Sequence, residues 1–255
     1  MPLERELKLS SPEGYVPSRA ELDHALGGLL IGGAQVEVET GSILRHQDTY
    51  FDTPDGTLAT HGLTLRQRAR NAGSTVTLKA DALPDGAGEE PAAGLFERIE
   101  LDVLHGGPVP PWPSEIAAAL AARLPAGALS AVRPTVVLEV VRITHRLVGA
   151  ATTVGRRTRL DEPATSARES VAPNEVLLVE LSFDEVTCRQ PPSHAADPHG
   201  QASEVRFHEV ELEAGPDVGV RSLETVAEAL ATLLPLTPSN VSKAERARAL
   251  LAAFM

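Results

Sequence analysis

Charged and apolar residues alternate along several segments of this chain, and the clearest case lies at the start of the sequence. Glu4, Glu6 and Lys8 occupy every second position, and leucine fills most of the positions between and around them. Side chains at every second position of a β-strand share one face of the strand. The pattern therefore predicts a strand with one charged face and one apolar face.

The same alternation returns in later parts of the sequence. The polar rows are Arg66, Arg68 and Arg70; Thr75, Thr77 and Lys79; Arg98, Glu100 and Asp102; Arg142, Thr144 and Arg146; Glu180, Ser182 and Asp184; Glu209, Glu211 and Glu213. The residues between the members of each row are apolar except for Gln67 and His145. Acidic and basic rows fall largely on different segments. The pattern therefore predicts a sheet whose charged face combines strands with acidic side chains and strands with basic side chains.

Other segments predict amphipathic helices, which need an apolar surface to pack against. Ser18 followed by Glu21 forms a capping box in front of a short apolar series. A closed barrel with helices packed on its outside satisfies both patterns, and the expected fold class is α+β. Three further helices are expected to begin near Ser114, near Ser222 and near Ser239 or Ser242.

In such a barrel the charged rows line the interior. Ionised side chains held away from bulk water are costly unless water, a metal ion or an anion neutralises them. The pattern therefore predicts a polar cavity that holds a highly charged ligand.

The spacing of Glu4, Glu6 and Lys8 resembles the ExExK signature of the CYTH, or triphosphate tunnel metalloenzyme, family. This family includes thiamine triphosphatases, inorganic triphosphatases and one class of adenylate cyclase. The segment 49–70 resembles the strand, turn and LRxR strand of the family, and the segment ending at Lys79 resembles its next basic strand. The segments 207–213 and 239–250 resemble the late ExE pair and the Ser-Lys segment, so the resemblance spans almost the whole chain.

The resemblance implies an eight-stranded antiparallel β-barrel, a triphosphate tunnel, that binds a triphosphate with Mg²⁺ or Mn²⁺. The sequence departs from the family in two places. Residues 150–176 look longer than the usual connection and are expected to be an insertion within a single domain covering residues 1–255. Thr144 stands where many relatives carry a cation.

A triphosphate requires fixed cations at several phosphate positions, and Mg²⁺ or Mn²⁺ requires hard oxygen ligands. The candidate substrate-binding residues are Lys8, Arg66, Arg68, Lys79, Arg142, Arg146 and Lys243. The candidate metal ligands are Glu4, Glu6, Asp184, Glu209 and Glu211. Family analogy adds catalytic roles for Glu4, Glu6, Lys8 and Lys79.

The function expected from this set is metal-dependent hydrolysis of a triphosphate by water, with inorganic tripolyphosphate as the preferred substrate. Thiamine triphosphate or a nucleoside triphosphate is the nearest alternative, and adenylate cyclase activity would use the same pocket. A different class of function is a non-catalytic module that binds a triphosphate or polyphosphate. Four carboxylates in the motifs argue against that module, because anion binding alone does not need them.

Composition narrows the remaining possibilities. The net charge of −12 over 255 residues argues against a nucleic-acid partner, which basic clusters would attract. The single cysteine, Cys188, excludes an internal disulfide, and a cytoplasmic location is expected. The sequence contains no signal-like segment and no apolar run long enough to cross a membrane. The expected state is a monomer or a homodimer.

Overall fold

A computed structural model of the chain describes residues 3–70, 73–82, 92–150, 175–191, 204–216 and 218–253. The strands are β1 (Leu3–Ser11), β2 (Leu30–Ile31), β3 (Ala34–Gln35), β4 (Glu37–Asp52), β5 (Leu63–Arg70), β6 (Gly73–Asp81), β7 (Leu95–His105), β8 (Arg133–Ala150), β9 (Glu175–Arg189), β10 (Val205–Ala214) and β11 (Thr237–Pro238). The helices are α1 (Arg19–Leu26), α2 (Thr57–Thr60), α3 (Ser114–Ala121), α4 (Ala128–Ala131), α5 (Val220–Leu233) and α6 (Lys243–Ala253).

Eight strands form a closed antiparallel ring. Their order is β10-β9-β8-β4-β5-β6-β7-β1, and β1 also pairs with β10, which closes the circuit. The short strand β11 adds to β1, and β2 pairs with β3 in a separate ribbon. The predicted α+β fold with eight antiparallel strands and accompanying helices is confirmed.

One outer side of the ring packs on α1 and α5. Leu7 and Leu9 of β1 are buried there together with Leu212 of β10. The helix α5 contributes Leu223 and Leu230, which lie seven residues apart and therefore on one helical face. This packing gives the apolar side of each alternating strand its predicted position, turned away from the charged interior.

A second outer cluster forms on β5 and β6. Leu65 of β5 and Val76 of β6 are fully buried beneath α3, which contributes Ile116 and Leu120. Leu58 of α2 belongs to the same cluster. The strands that carry Arg66 and Lys79 on one face are therefore anchored by helices on the other.

The helix α6 packs differently, because it covers inner positions of the strands. Leu138 and Val140 precede Arg142 at alternate positions of β8 and share its face. They form a cluster with Ala247 and Leu251 of α6. We call the cluster on which α6 packs the apolar end of the ring; its buried members are Tyr50, Val136, Leu138, Val140, Val186, Cys188, Val205, Phe207, Ala244, Ala247 and Leu251.

Most of the predicted helix starts agree closely with the structure. The capping box before α1 is present, with the Ser18 side chain accepting a hydrogen bond from the Glu21 backbone N–H. Ser114 is the first residue of α3. The helix α5 begins at Val220, two residues before the expected start, and α6 begins directly after Ser242.

The expected insertion at residues 150–176 lies almost entirely outside the described residues, between the end of β8 and the start of β9. The single-domain assignment therefore stays a prediction. Within the described ranges, no helix combines the length and apolar character needed to cross a membrane.

Candidate functional site

A cavity of about 200 Å³ opens inside the ring beside the apolar end. Its walls come from β1, β4, β5, β6, β7, β8 and β10, and the first turn of α6 borders it. We call it the charged cavity. Its cationic side chains are Lys8, Arg66, Arg68, Arg70, Lys79, Arg98, Arg142 and Lys243. Its carboxylates are Glu4, Glu6, Glu100, Asp102, Glu211 and Glu213.

Lys8 lies at the centre of the carboxylate group. Its Nζ donates to Oε1 of Glu209 at 3.2 Å and to Glu211, and it lies 3.5 Å from Oε1 of Glu6. Burial disfavours the charged ammonium, but the three carboxylates outweigh it and raise the pKa of Lys8 well above its usual value. Lys8 therefore remains a cation over the whole physiological pH range.

The backbone of Lys8 is also held from both sides. Its N–H donates to the carbonyl of Gly94 at 2.8 Å, and its carbonyl accepts from the N–H of Ser239 at 3.0 Å. Gly94 has φ +85°, and a Cβ placed there would lie 2.5 Å from the Lys8 carbonyl oxygen. Glycine at position 94 is thus required both by the backbone conformation and by the close approach.

Lys243 and Arg142 share two carboxylates, the buried Asp184 and the cavity-lining Glu211. Lys243 Nζ donates to Oδ2 of Asp184 at 2.5 Å and to Oε1 of Glu211 at 3.1 Å. Arg142 makes two hydrogen bonds to Asp184, at 2.8 and 2.6 Å, and a further one to Glu211. Burial opposes the charge on Lys243, but Asp184 and Glu211 outweigh it and raise the pKa of this lysine.

Local structure explains why Lys243 points into the ring. Ser242 and Glu245 form a reciprocal pair at the start of α6: the Ser242 N–H donates to Oε2 of Glu245 at 2.9 Å, and the Glu245 N–H donates to Ser242 Oγ at 3.3 Å. This capping box fixes the first turn of the helix. Lys243, the next residue along the chain, is buried between the carboxylates.

Asp184 and Glu209 lie behind the cavity wall. Both are almost completely buried, and neither lines the charged cavity. Asp184 holds Arg142 and Lys243, while Oε1 of Glu209 receives Lys8. Oε2 of Glu209 is buried and has no hydrogen-bond partner among the described residues. Burial also raises the pKa of Glu209, although two lysines oppose that effect.

Lys79 and Glu4 form a tight pair across the cavity. Lys79 Nζ donates to both carboxylate oxygens of Glu4, at 2.7 and 2.5 Å. Glu100, its neighbour on β7, lies 3.7 Å from the same ammonium. The candidate catalytic residues Glu4, Glu6, Lys8 and Lys79 therefore all line the charged cavity.

Arg66 is held much more loosely than Arg68. Arg68 makes two hydrogen bonds of 2.7 Å to Asp48, whereas Arg66 is 3.7 Å from Asp48 and 4.0 Å from Glu100. Its contact with Thr77 Oγ1 is long, at 3.4 Å, and its buried Nε has no partner in the described part of the chain. Arg66 therefore has hydrogen-bonding capacity left for an incoming anion.

Arg146 is the candidate residue that the structure places elsewhere. Its guanidinium donates to Glu39 at 2.9 Å, its side chain is half exposed, and it does not line the charged cavity. Arg146 lies four residues beyond Arg142 on β8, a distance of roughly 13 Å along a strand. The strand thus carries Arg146 past the region in which the other candidate cations meet.

Several side chains of the site were outside the predicted set, among them Arg70, Glu100, Asp102 and Glu213, which line the charged cavity. Tyr50 and Arg98 line the charged cavity, and the fully buried Asp48 supports its wall. Arg98 stacks on the Phe96 ring, with 4.3 Å between the guanidinium carbon and the ring centroid. Alternation could have signalled Asp48 and Tyr50, since both lie on the row of β4 that faces Arg68 and Arg66.

A divalent metal ion requires oxygen ligands that meet at one point. In the described ranges, no three His, Cys, Asp or Glu side chains converge into a ready-made metal site. Mg²⁺ in proteins often takes only one or two carboxylates and completes its shell with phosphate oxygens and water. Glu4, Glu6 and Glu211 on the wall offer the one or two carboxylates that an ion needs when it binds together with a phosphate chain, and the unpartnered oxygen of Glu209 lies behind them.

Residues 19–247 match the sequence model of the CYTH domain. This chain belongs to the CYTH family. The family is one of metal-dependent tunnel enzymes that bind small triphosphates. Glu4, Glu6 and Lys8 precede the matched range, so their likeness to the family signature rests on their own spacing and on their place in the cavity.

Solved structures with similar folds share little sequence with this CYTH protein. A candidate adenylate cyclase from Bacillus halodurans is 18% identical, covers 96% of this chain and 98% of its own, and has a TM-score of 0.47. A candidate adenylyl cyclase from Hippeastrum, described as having a dominant triphosphatase activity, is 17% identical, covers 98% and 96%, and has a TM-score of 0.46. No curated protein matches the sequence.

Proposed function

We propose that this CYTH protein is a metal-dependent triphosphatase and that inorganic tripolyphosphate is its preferred substrate. The observation that carries this proposal is the charged cavity, where eight cationic side chains face one space. Six carboxylates line the same space, and Asp48, Asp184 and Glu209 pair with several of these cations from behind the wall. Cations held at fixed positions in this way suit a compact anion with several phosphate groups, and the carboxylates suit a divalent ion that binds with it.

The lining also favours a substrate without a large organic group. Among the described lining residues, Tyr50 is the aromatic one, and it is buried next to the first turn of α6. A base or a thiazolium ring usually binds against exposed aromatic or apolar surfaces. The remaining lining is charged or carries hydroxyl groups, apart from Ala244, which supports tripolyphosphate over thiamine triphosphate and ATP.

Each group of residues has a proposed part in hydrolysis. Arg66 and Arg68 bind phosphate oxygens on one wall, while Lys8, Arg142 and Lys243 neutralise charge at the inner end of the cavity. Water attacks the terminal phosphorus, and Lys8 or Lys79 stabilises the oxygen of the leaving group. A divalent ion held by one or two of the carboxylates Glu4, Glu6 and Glu211 would supply further neutralisation of the phosphate oxygens.

The decisive experiment measures phosphate release from tripolyphosphate, thiamine triphosphate and ATP. Each substrate is tested with Mg²⁺, with Mn²⁺ and with chelator, and the ATP reactions are also assayed for cyclic AMP. Metal-dependent turnover that is fastest on tripolyphosphate is the expected result. Faster turnover of another substrate would show that tripolyphosphate is not the preferred substrate. Formation of cyclic AMP from ATP would show that the protein is a cyclase.

A matched pair of variants tests whether the charged cavity is the site. Arg66→Gln removes a loosely held guanidinium from the cavity. Arg5→Gln removes an exposed arginine of β1 that pairs with Glu97 and does not line the cavity. Equal activity of both variants and the wild type would contradict the site. Tight binding of tripolyphosphate without turnover would favour the non-catalytic module.

A further inference from the structure

Asp48 is a buried carboxylate that the reaction outlined above does not use. It lies on β4 opposite Arg68 of β5, and its relative exposure is 0%. It does not line the charged cavity, so it does not touch a ligand bound there. It lies directly behind two arginines of the cavity, Arg66 and Arg68, and can therefore influence their orientation.

Both oxygens of Asp48 are directed at guanidinium groups. Oδ1 accepts from Arg68 Nε and Oδ2 accepts from Arg68 Nη2, each at 2.7 Å. Arg66 Nη1 lies 3.7 Å from Oδ2. Burial opposes ionisation of Asp48, but the two arginines outweigh it and hold the pKa of this carboxyl well below its usual value.

His46 leaves this carboxylate to the arginines. Its ring is buried, its Nε2 lies 3.6 Å from Oδ2 of Asp48, and neither ring nitrogen has a hydrogen-bond partner in the described residues. Burial lowers the pKa of His46 and outweighs the attraction of Asp48, while Arg68 and Arg142 add to the lowering. A neutral imidazole does not compete with two permanent guanidinium charges.

One carboxylate shared by two guanidinium groups leaves a net charge of +1 on this wall. The double hydrogen bond fixes the plane of Arg68, because a bidentate contact restricts the side chain more than a single contact does. Arg66 lies two residues away on the same face of β5, and the same carboxylate attracts it from behind. Two guanidinium groups that lie two residues apart on one strand can bind different phosphate groups of one triphosphate.

We propose that Asp48 is a positioning residue for substrate binding, since it fixes Arg68 and attracts the more loosely held Arg66 toward the orientation that receives the phosphate chain. This inference rests on the proposed triphosphatase function. It differs from a purely structural role, in which the ion pair would stabilise the sheet without affecting the affinity for substrate.

Asp52 offers a matched control on the same strand. It is also buried, but its Oδ1 accepts backbone N–H groups of Thr53 at 2.7 Å and Leu58 at 2.8 Å, which stabilises the turn before α2. Asp52→Asn and Asp48→Asn therefore make the same chemical change at two buried positions of β4. Only Asp48 faces the arginines of the charged cavity.

The experiment compares kcat, KM and calorimetric Kd for tripolyphosphate, together with Tm, in the wild type and both variants. Asp48→Asn is expected to raise KM and Kd about tenfold or more and to change kcat less than threefold. Asp52→Asn is expected to lower Tm and to leave KM within about twofold of the wild type. A KM for Asp48→Asn that equals the wild-type value would overturn the inference.

A second variant covers the case in which Asp48→Asn does not fold. Arg68→Lys keeps the positive charge but cannot make the bidentate contact with Asp48. It is expected to raise KM at least threefold in folded protein, and an unchanged KM would count against positioning. If the wild-type protein neither binds nor hydrolyses tripolyphosphate, the proposed function is wrong and this inference is wrong with it. If the wild type is active and the variants keep its KM, only the inference about Asp48 is wrong.

Discussion

The interior of the ring has two parts that are built on the same strands. On β8, Leu138 and Val140 belong to the apolar end, and the next inner residue, Arg142, lines the charged cavity. On β10, Phe207 belongs to the apolar end, and Glu209 follows it behind the cavity wall. Strand alternation places all five side chains inside, so only the identity of each residue separates the two parts.

The two parts solve the problem of burial by different means. The apolar end removes apolar surface from water and gains stability in proportion to the area buried. The charged cavity keeps ionised groups at fixed positions, and their mutual attraction mainly offsets the cost of desolvating them. We therefore expect substitutions at the apolar end to lower stability and substitutions in the cavity to lower activity.

Glu211→Gln tests the charged part most severely. Glu211 contacts Lys8, Arg142 and Lys243 and is a candidate metal ligand. Removing its charge takes away a carboxylate that contacts all three cations and weakens the metal site, so turnover of tripolyphosphate is expected to fall about 1000-fold. Phosphate release in excess metal measures the effect. Activity within tenfold of the wild type would show that Glu211 is not essential for turnover.

Leu138→Ala tests the apolar part. Leu138 is fully buried, and truncation of a core leucine costs about 2–5 kcal/mol of unfolding free energy. Urea denaturation should show that loss, while kcat/KM at a temperature where the variant is folded should stay within about threefold of the wild type. A much larger loss of activity in folded protein would show that the apolar end also contributes to activity.

Arg66→Gln sharpens the comparison within the cavity. Because Arg66 has only long contacts with carboxylates, its loss should weaken substrate binding and leave the fold intact. We expect KM for tripolyphosphate to rise about tenfold and Tm to change by less than about 2 °C. Steady-state kinetics and thermal denaturation measure both quantities, with Arg5→Gln as the surface control. A large fall in Tm would assign Arg66 to stability.

The smallest expected effect concerns Glu213. Burial, followed by repulsion from Glu4, raises the pKa of Glu213 to about 7. The folded state therefore binds more protons than the unfolded state between the ordinary glutamate pKa and about 7, and stability contributed by this group falls as the pH rises through that window. Because Glu213 is partly exposed, solvent weakens the effect.

Glu213→Gln removes the carboxyl that ionises unfavourably in the folded protein. Its Tm relative to the wild type should be about 1–3 °C higher at pH 8 than at pH 5. Differential scanning calorimetry at the two pH values checks the sign. A benefit that is larger at pH 5 would mean that the folded state does not raise the pKa of Glu213.

Alternation carried most of the information that the sequence holds about this fold. It predicted the strands and brought Glu4, Glu6, Lys8, Lys79 and other charged residues to one face, and the structure places these residues together. It did not locate the limit of the cavity along β8, so Arg146 was grouped with Arg142. The strand β8 runs for 18 residues and extends beyond the cavity, which the spacing of charges does not show.

The inner position of α6 was also beyond the sequence. Its buried residues include Ala244, Ala247 and Leu251, a stripe that fits an outer face of the ring as well as an inner one. The choice depends on apolar inner residues contributed by strands distant in sequence, such as Val140 and Val186. Asp48 was not predicted for a related reason, because its contact with Arg68 depends on the pairing of β4 with β5.

The clamp on the Lys8 backbone has a consequence for the thermodynamics of binding. Gly94 and Ser239 hold the peptide groups of Lys8, and three carboxylates hold its ammonium, before any ligand enters. The conformational entropy of this lysine is therefore lost when the chain folds and is not lost again on binding. Such preorganisation predicts that an anion reaching Lys8 binds with a small entropic penalty from the protein side.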